Sequence, residues 1–180
     1  MAGTEPSFQR HLAPVSGSSD LVVSWVPPAG PAVHPLVRYG PAGSSLPQHA
    51  TPLRQAAHGD GHVSYHARLA GLAPHTVYQY AVGDNATGVF SAPAEFVTAA
   101  VGAAAGFTMA VVGDMGVRPY GNATAARLAQ HAASFNFTLH VGDFAYADDR
   151  AKGRDPKVFN GHWDDFMAMI EPVSASKPYG

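Results

Sequence analysis

Residues 62–69 read HVSYHARL, and their strict alternation decides the fold class of the first half of the chain. Val63, Tyr65, Ala67 and Leu69 fall on one side of an extended backbone, and Ser64, His66 and Arg68 on the other. A period of two is the signature of a half-buried strand. Outward from this stretch the same grammar repeats. Upstream, residues 21–26 (LVVSWV) end at Pro27 and Pro28, and residues 36–40 (LVRYG) close at Gly40 and Pro41. Downstream, residues 76–82 (TVYQYAV) lead to a turn at Gly83, Asp84 and Asn85, followed by residues 95–98 (EFVT). Short strands, Gly/Pro turns and no useful helical period from Phe8 to Thr98 predict an all-β antiparallel sandwich.

One detail sharpens that reading. In residues 71–80, GLAPHTVYQY, a turn leads into a strand with Tyr78 at its start. A Tyr so placed can fold back and bond upstream backbone through its hydroxyl, the tyrosine corner of immunoglobulin-like sandwiches. The stretch resembles a fibronectin type III domain.

Residues 1–7 read as a tail, and residues 99–106 (AAVGAAAG) as a small, uncharged linker. After it the pattern changes. Residues 107–112 (FTMAVV) form a continuous apolar run, as expected of a strand covered on both faces. Asn122 suits the N-cap of a helix over residues 123–135, with Ala125, Leu128, Ala129, Ala132 and Phe135 as its apolar stripe. Residues 137–141 (FTLHV) are a second strand, so strand, helix and strand make a right-handed βαβ unit. A further helix is predicted from about Asn160 to Ile170, with Trp163, Phe166, Met167 and Ile170 on one stripe and Pro172 as its stop. Residues 107–180 are therefore expected to be a partial α/β domain.

Both apolar strands finish alike, the first in Gly113-Asp114-Met115-Gly116 and the second in Gly142-Asp143-Phe144-Ala145-Tyr146. In a parallel sheet, ligands gather outside the carboxyl ends of the strands. The βαβ geometry puts Asp114 and Asp143 on neighbouring tips facing the same space. Two carboxylates there repel unless a cation lies between them. Gly113 and Gly142 give the backbone room to turn, and Tyr146 can swing into the same space. A single Gly-Asp after a strand is ordinarily a turn, and Asp143 alone could cap a helix. The joint pattern of two such pairs, an intervening helix and a Tyr three residues on points to a metal.

Residues 113–116 (GDMG) and 142–149 (GDFAYADD) resemble the first two metal-binding blocks of the purple acid phosphatases, within the metallophosphoesterase superfamily. LVVSW, VRYG and LAGLAPHTVYQYAVGD are similar to that family's fibronectin-like N-terminal domain, and WDDFMAMIEPVSASKPY resembles the segment after its second block. The resemblance implies an acid phosphatase that hydrolyses phosphate monoesters with a hydroxide activated by two metals. By it, Asp114 would bind Fe(III), Asp143 would bridge to a second divalent metal (Zn, Mn or Fe), and Tyr146 would supply a phenolate. Hard oxygen donors suit such ions.

The family's third block, Gly-Asn-His-Glu/Asp, its lone His and its Gly-His-x-His are not matched. After Tyr146 the one His is His162, in GHW. The resemblance thus implies a truncated chain that is inactive alone, with no catalytic residue of its own and a substrate-contacting His expected beyond Gly180. Apolar faces at 107–112 and 137–141 would then stand uncovered. Two rivals remain open: a non-catalytic extracellular fibronectin-like module with a remnant of phosphatase sheet, and a metallophosphoesterase acting on diesters or nucleotides.

Composition bounds the rest. The 180 residues are 46% apolar and 13% charged, with 11 Lys and Arg against 13 Asp and Glu and no long basic run. No nucleic-acid or membrane partner is expected; small phosphate esters are. The absence of Cys excludes disulfides, thiolate metal sites and thiol nucleophiles. No apolar stretch reaches the roughly 18 residues that a membrane span needs. No signal peptide is visible, yet sequons at Asn85, Asn122 and Asn136 read as glycosylation sites and, with the resemblance, imply a secreted, vacuolar or lysosomal protein. His34, His49, His58, His62, His66 and His75 show no ligand spacing and read as surface or half-buried. Arg150, Lys152, Arg154 and Lys157 read as a solvated basic loop.

Overall fold

The computed structural model describes residues 7–57, 61–100, 106–151 and 155–180, the side chains of residues 150 and 151 excepted. Residues 7–98 form two antiparallel sheets. The first is ordered β1 (His11–Pro14), β2 (Leu21–Trp25), β6 (Val63–Leu69), β5 (Arg54–Ala57). The second is ordered β4 (Gln48–Ala50), β3 (Pro35–Pro41), β7 (Val77–Asp84), β8 (Val89–Phe90), with β9 (Ala94–Val97) also paired to β7. Alternation sets which side chains meet between them. Leu21, Val23 and Trp25 are buried while Val22 and Ser24 are half-buried, and Tyr65, Ala67 and Leu69 are buried on the paired strand. Phe96 stacks on Tyr78 and meets Tyr80 edge-on, both with centroids 5.8 Å apart.

The predicted tyrosine corner is present: the Ala73 N–H donates to the Tyr78 hydroxyl at 3.0 Å. The turn after β7 is held by Asp84, whose carboxylate accepts the backbone N–H groups of Val33, His34 and Ala86 at 2.9–3.0 Å. Strands β1, β4, β5 and β8 were not visible as patterns. They are two to four residues long, too short to show an alternation, and β5 (RQAA), exposed throughout, exists by pairing rather than by burial.

The remainder is built on two parallel strands, β10 (Met109–Val112) and β11 (Phe137–His140), in the register Met109↔Phe137 to Val112↔His140. Between them runs α1 (Asn122–Gln130), followed by a single 3-10 turn (Ala132–Ser134). After β11 come α2 (Ala147–Ala151) and α3 (Pro156–Ser174). Ala125, Leu128 and Phe135 of the predicted stripe are buried, and so are Phe166 and Ile170 of α3.

Four local expectations are corrected. The N-cap of α1 is Gly121, and Asn122 is the first helical residue with no capping bond. A side chain at 121 would stand 2.5 Å from the Gly116 carbonyl oxygen, so only glycine fits there. Pro172 does not stop α3. It lies in the last turn, where Val173 and Ser174 are fully buried, and that packing carries the helix past the missing N–H. The helix also starts earlier than expected, because Asp155 accepts the Lys157 N–H at 2.9 Å as its cap and Pro156 sits at N1. Finally, β10 is covered on one face rather than both. Ala110 and Val112 pack against the core beneath α1, whereas Met109 and Val111 are exposed.

The two parts are stitched together. Glu171 of α3, 7% exposed, accepts from Arg10 Nε at 2.6 Å and from the Gln9 N–H at 3.1 Å. The Tyr80 hydroxyl, inside the sandwich, donates to the Ala175 carbonyl at 2.9 Å. Residues 178–180 run beside both sheets: Pro178 bridges to Leu12 of β1 and Tyr179 to Thr138 of β11, both parallel. Among the described residues no helix is long and apolar enough to cross a membrane.

Candidate metal centre

The parallel ladder continues past the ends of β10 and β11. The Asp114 N–H donates to the Gly142 carbonyl at 3.3 Å, and the Met115 N–H to the Asp143 carbonyl at 3.2 Å. These bonds hold the two acidic loops side by side, as the sequence pattern implied. The backbone there is unusual. Asp114, Asp143 and Tyr146 have φ of 55°, 53° and 51°, in the left-handed region. Asp tolerates that conformation through its short polar side chain, but Tyr rarely adopts it. Such backbone costs about 1–3 kcal/mol per residue and clusters at functional sites. Gly142 turns the chain with φ 101°, a freedom used there and not at Gly113.

The strained backbone aims three oxygen-bearing side chains at one place. The Tyr146 hydroxyl donates to Asp114 Oδ1. Tyr146 is half-buried and both carboxylates are exposed. Its pKa is raised, first by the hydrogen bond to Asp114, then by desolvation, with the charges of Asp114 and Asp143 adding to both. The phenolic proton thus lies against the Asp114 carboxylate, with the Asp143 carboxylate close by. All three donors are hard oxygens, a set that fits a hard cation such as Fe(III) and, through a carboxylate, a second ion beside it. No group of three or more His, Cys, Asp and Glu gathers among the described residues, so the donor set here is two carboxylates and a phenol.

Beneath the loops lie two residues that the sequence reading did not single out. His140, the last residue of β11, is 5% exposed and stacks on Phe144 with centroids 4.0 Å apart. Its Nδ1 is 2.8 Å from the Tyr179 hydroxyl, which stands 3.6 Å from Met115 Sδ. A His within an apolar strand carries no signal of such a role, and Tyr179 lies 39 residues away in the chain.

The sequons are all at the surface. Asn85 follows β7 and accepts from Arg38 at 3.1 Å, Asn122 opens α1, and Asn136 accepts the Thr108 N–H at 2.9 Å. His34, His49 and His75 are exposed and His62 and His66 half-buried, while His58 lies outside the described residues. Of the basic loop, only the Lys157 side chain is described, and it is exposed.

The family-level comparison bears on the sandwich. Residues 7–98, just over half of the chain, match the purple acid phosphatase N-terminal domain. The chain belongs to the purple acid phosphatase family. It is similar to acid phosphatase type 7 of Mus musculus, 41% identical over 71 residues, and to acid phosphatase type 7 of Homo sapiens, 38% identical over 71 residues. Each match covers 39% of this chain and 15% of the relative. The family membership thus rests on the match over residues 7–98, and the chain spans a small part of the length of the two relatives.

Proposed function

We propose that this chain is the N-terminal part of an acid phosphatase that hydrolyses small phosphate monoesters at a dinuclear metal centre, with residues 107–180 as part of its metallophosphoesterase domain. The observation that carries the reading is the convergence of Asp114, Asp143 and Tyr146 on adjacent carboxyl-terminal strand ends, each in left-handed backbone. Asp114 and Tyr146 would hold Fe(III), and Asp143 would bridge to a divalent Zn, Mn or Fe. When bound, such a pair supplies Lewis acidity and a water of lowered pKa for in-line attack on phosphorus.

The chain's own residues prepare for this. The Asp114 and Met115 amides fix the two loops in register, and Tyr146, whose hydroxyl donates to Asp114, would bind a cation there as the phenolate. Three oxygens do not complete two coordination spheres, so we place the imidazole donors and the substrate-contacting His outside the described residues. The surface sequons at Asn85, Asn122 and Asn136 favour a glycosylated protein that is secreted or held in a vacuole or lysosome.

The test is a protein containing this chain and the further donors, loaded with iron plus zinc or manganese and assayed on an aryl phosphate at acidic pH. Turnover above a metal-free control, with a visible phenolate-to-iron band that Tyr146→Phe removes, is the expected result. No turnover, or a band unchanged in Tyr146→Phe, overturns the reading.

A further inference from the structure

We infer that His140 and Tyr179 form a buried positioning pair that locks the Asp114 loop and the Asp143 loop in register with each other. The consequence for cation binding rests on the metal reading above; the locking itself does not.

The geometry places one partner under each loop. Tyr179 sends its hydroxyl between His140 Nδ1, at 2.8 Å, and Sδ of Met115, the residue after Asp114. His140 stacks flat on Phe144, the residue after Asp143, at 4.0 Å and 25°. Each loop is therefore gripped one residue past its carboxylate. All three of His140, Tyr179 and Met115 are buried, at 5%, 3% and 4% exposure, so water does not compete for these contacts.

The proton positions follow. A phenol has one hydrogen, and an imidazole nitrogen accepts it far better than a thioether does. Tyr179 therefore donates to Nδ1, and the neutral ring carries its proton on Nε2. That nitrogen is buried without a hydrogen-bond partner. The Gly142 and Asp143 backbone acts on the ring in the direction that favours a proton, although burial outweighs it and lowers the His140 pKa. The Gly142 and Asp143 carbonyls accept the Asp114 and Met115 amides, so the two residues whose backbone acts on the ring are the ones that zip the loops together. Burial raises the Tyr179 pKa in turn, which keeps both members of the pair uncharged.

Two measurements on the full chain test this. Without metal, amide hydrogen exchange at Asp114 and Met115 should speed up about tenfold in His140→Ala and in Tyr179→Phe, while amides of β2 and β6 stay as in the wild type. His140→Gln, which returns an N–H near Nε2, should restore much of the protection. With Tb(III) as a hard-oxygen probe, followed by tyrosine-sensitised emission, the same two variants should bind about tenfold more weakly. Unchanged exchange at both amides in both variants overturns the inference, and Tyr179→Phe keeps the ring should His140→Ala fail to fold. If the amides loosen but the wild type binds no Tb(III), the pair stands and the metal reading falls. If Asp143→Asn abolishes Tb(III) binding while both pair variants bind as the wild type does, the metal reading stands and the pair's consequence for cation binding falls.

Discussion

The sandwich and the region after it use the same β-strand chemistry to opposite effect. In residues 7–98 two sheets close on each other, so that Trp25, Tyr80 and Phe96 are at most 2% exposed. In residues 106–180 a two-stranded sheet has one face on α1 and α3, and the other leaves Phe107 72%, Val111 55% and Val141 63% exposed. At the seam, the fully buried Ser174 hydroxyl donates to the Arg10 carbonyl of the sandwich at 2.6 Å. The lesson is that burial, rather than apolar content, divides the two. The strained, oxygen-bearing loops belong to the less enclosed part, at the rim where a ligand can reach them.

The largest effect should come from cutting each core in turn. Phe166→Ala removes a ring that is 1% exposed and should cost about 3–5 kcal/mol. The two Trp residues report separately, Trp25 from the sandwich and Trp163 from α3, through single-Trp variants in urea. Phe166→Ala should move the Trp163 transition to lower urea well ahead of the Trp25 transition. Coincident shifts would mean that the two regions unfold as one unit and would break the comparison.

The seam comes next. Arg10→Ala leaves the Glu171 carboxylate mostly buried without its cation and should cost about 3 kcal/mol, at the lower end of such losses because Arg10 is itself partly exposed. α3 should then exchange its amides faster than β2 does. Equal protection in wild type and variant would show that Arg10 is not what docks the helix.

A smaller effect follows pH. Burial lowers the His11 pKa from 6.5, with a contact to the Tyr179 carbonyl opposing in part. The fold thus prefers the neutral ring. Between 6.5 and the lower folded value the unfolded chain binds more protons, so stability rises with pH and falls on acidification through that window. Thermal melts at pH 7 and pH 5 should differ less in His11→Gln than in the wild type. An identical pH dependence in the two would remove His11 from the account. Smallest of all, Val111→Ser on the uncovered face should stay within about 0.5 kcal/mol of wild type in urea. A loss above that would mean that the face is packed in solution.

Much of this was legible in the chain itself. Alternation in residues 21–25 and 63–69 marked strands that pair with each other, and Tyr78 behaved as a tyrosine-corner residue because its turn and strand are adjacent in sequence. The two Gly-Asp strand ends lie side by side because both strands run in the same direction and end together in the observed register. What was misread depended on neighbours distant in sequence. Asn122 lost the cap to Gly121 because the Gly116 carbonyl crowds that corner, and Pro172 failed to end α3 because the packing of Val173 and Ser174 holds the last turn in place.

The sequence by itself determined the main strands, the switch from period two to strand–helix–strand, and the oxygen-bearing side chains at positions 114, 143 and 146, because these follow from residue identity and local spacing. Only the tertiary structure decided which face of β10 is covered, that residues 178–180 bridge β1 and β11, and that His140 and Tyr179 meet beneath the acidic loops. Those outcomes depend on burial and on hydrogen bonds between groups tens of residues apart, and such contacts arise only when the whole chain is packed.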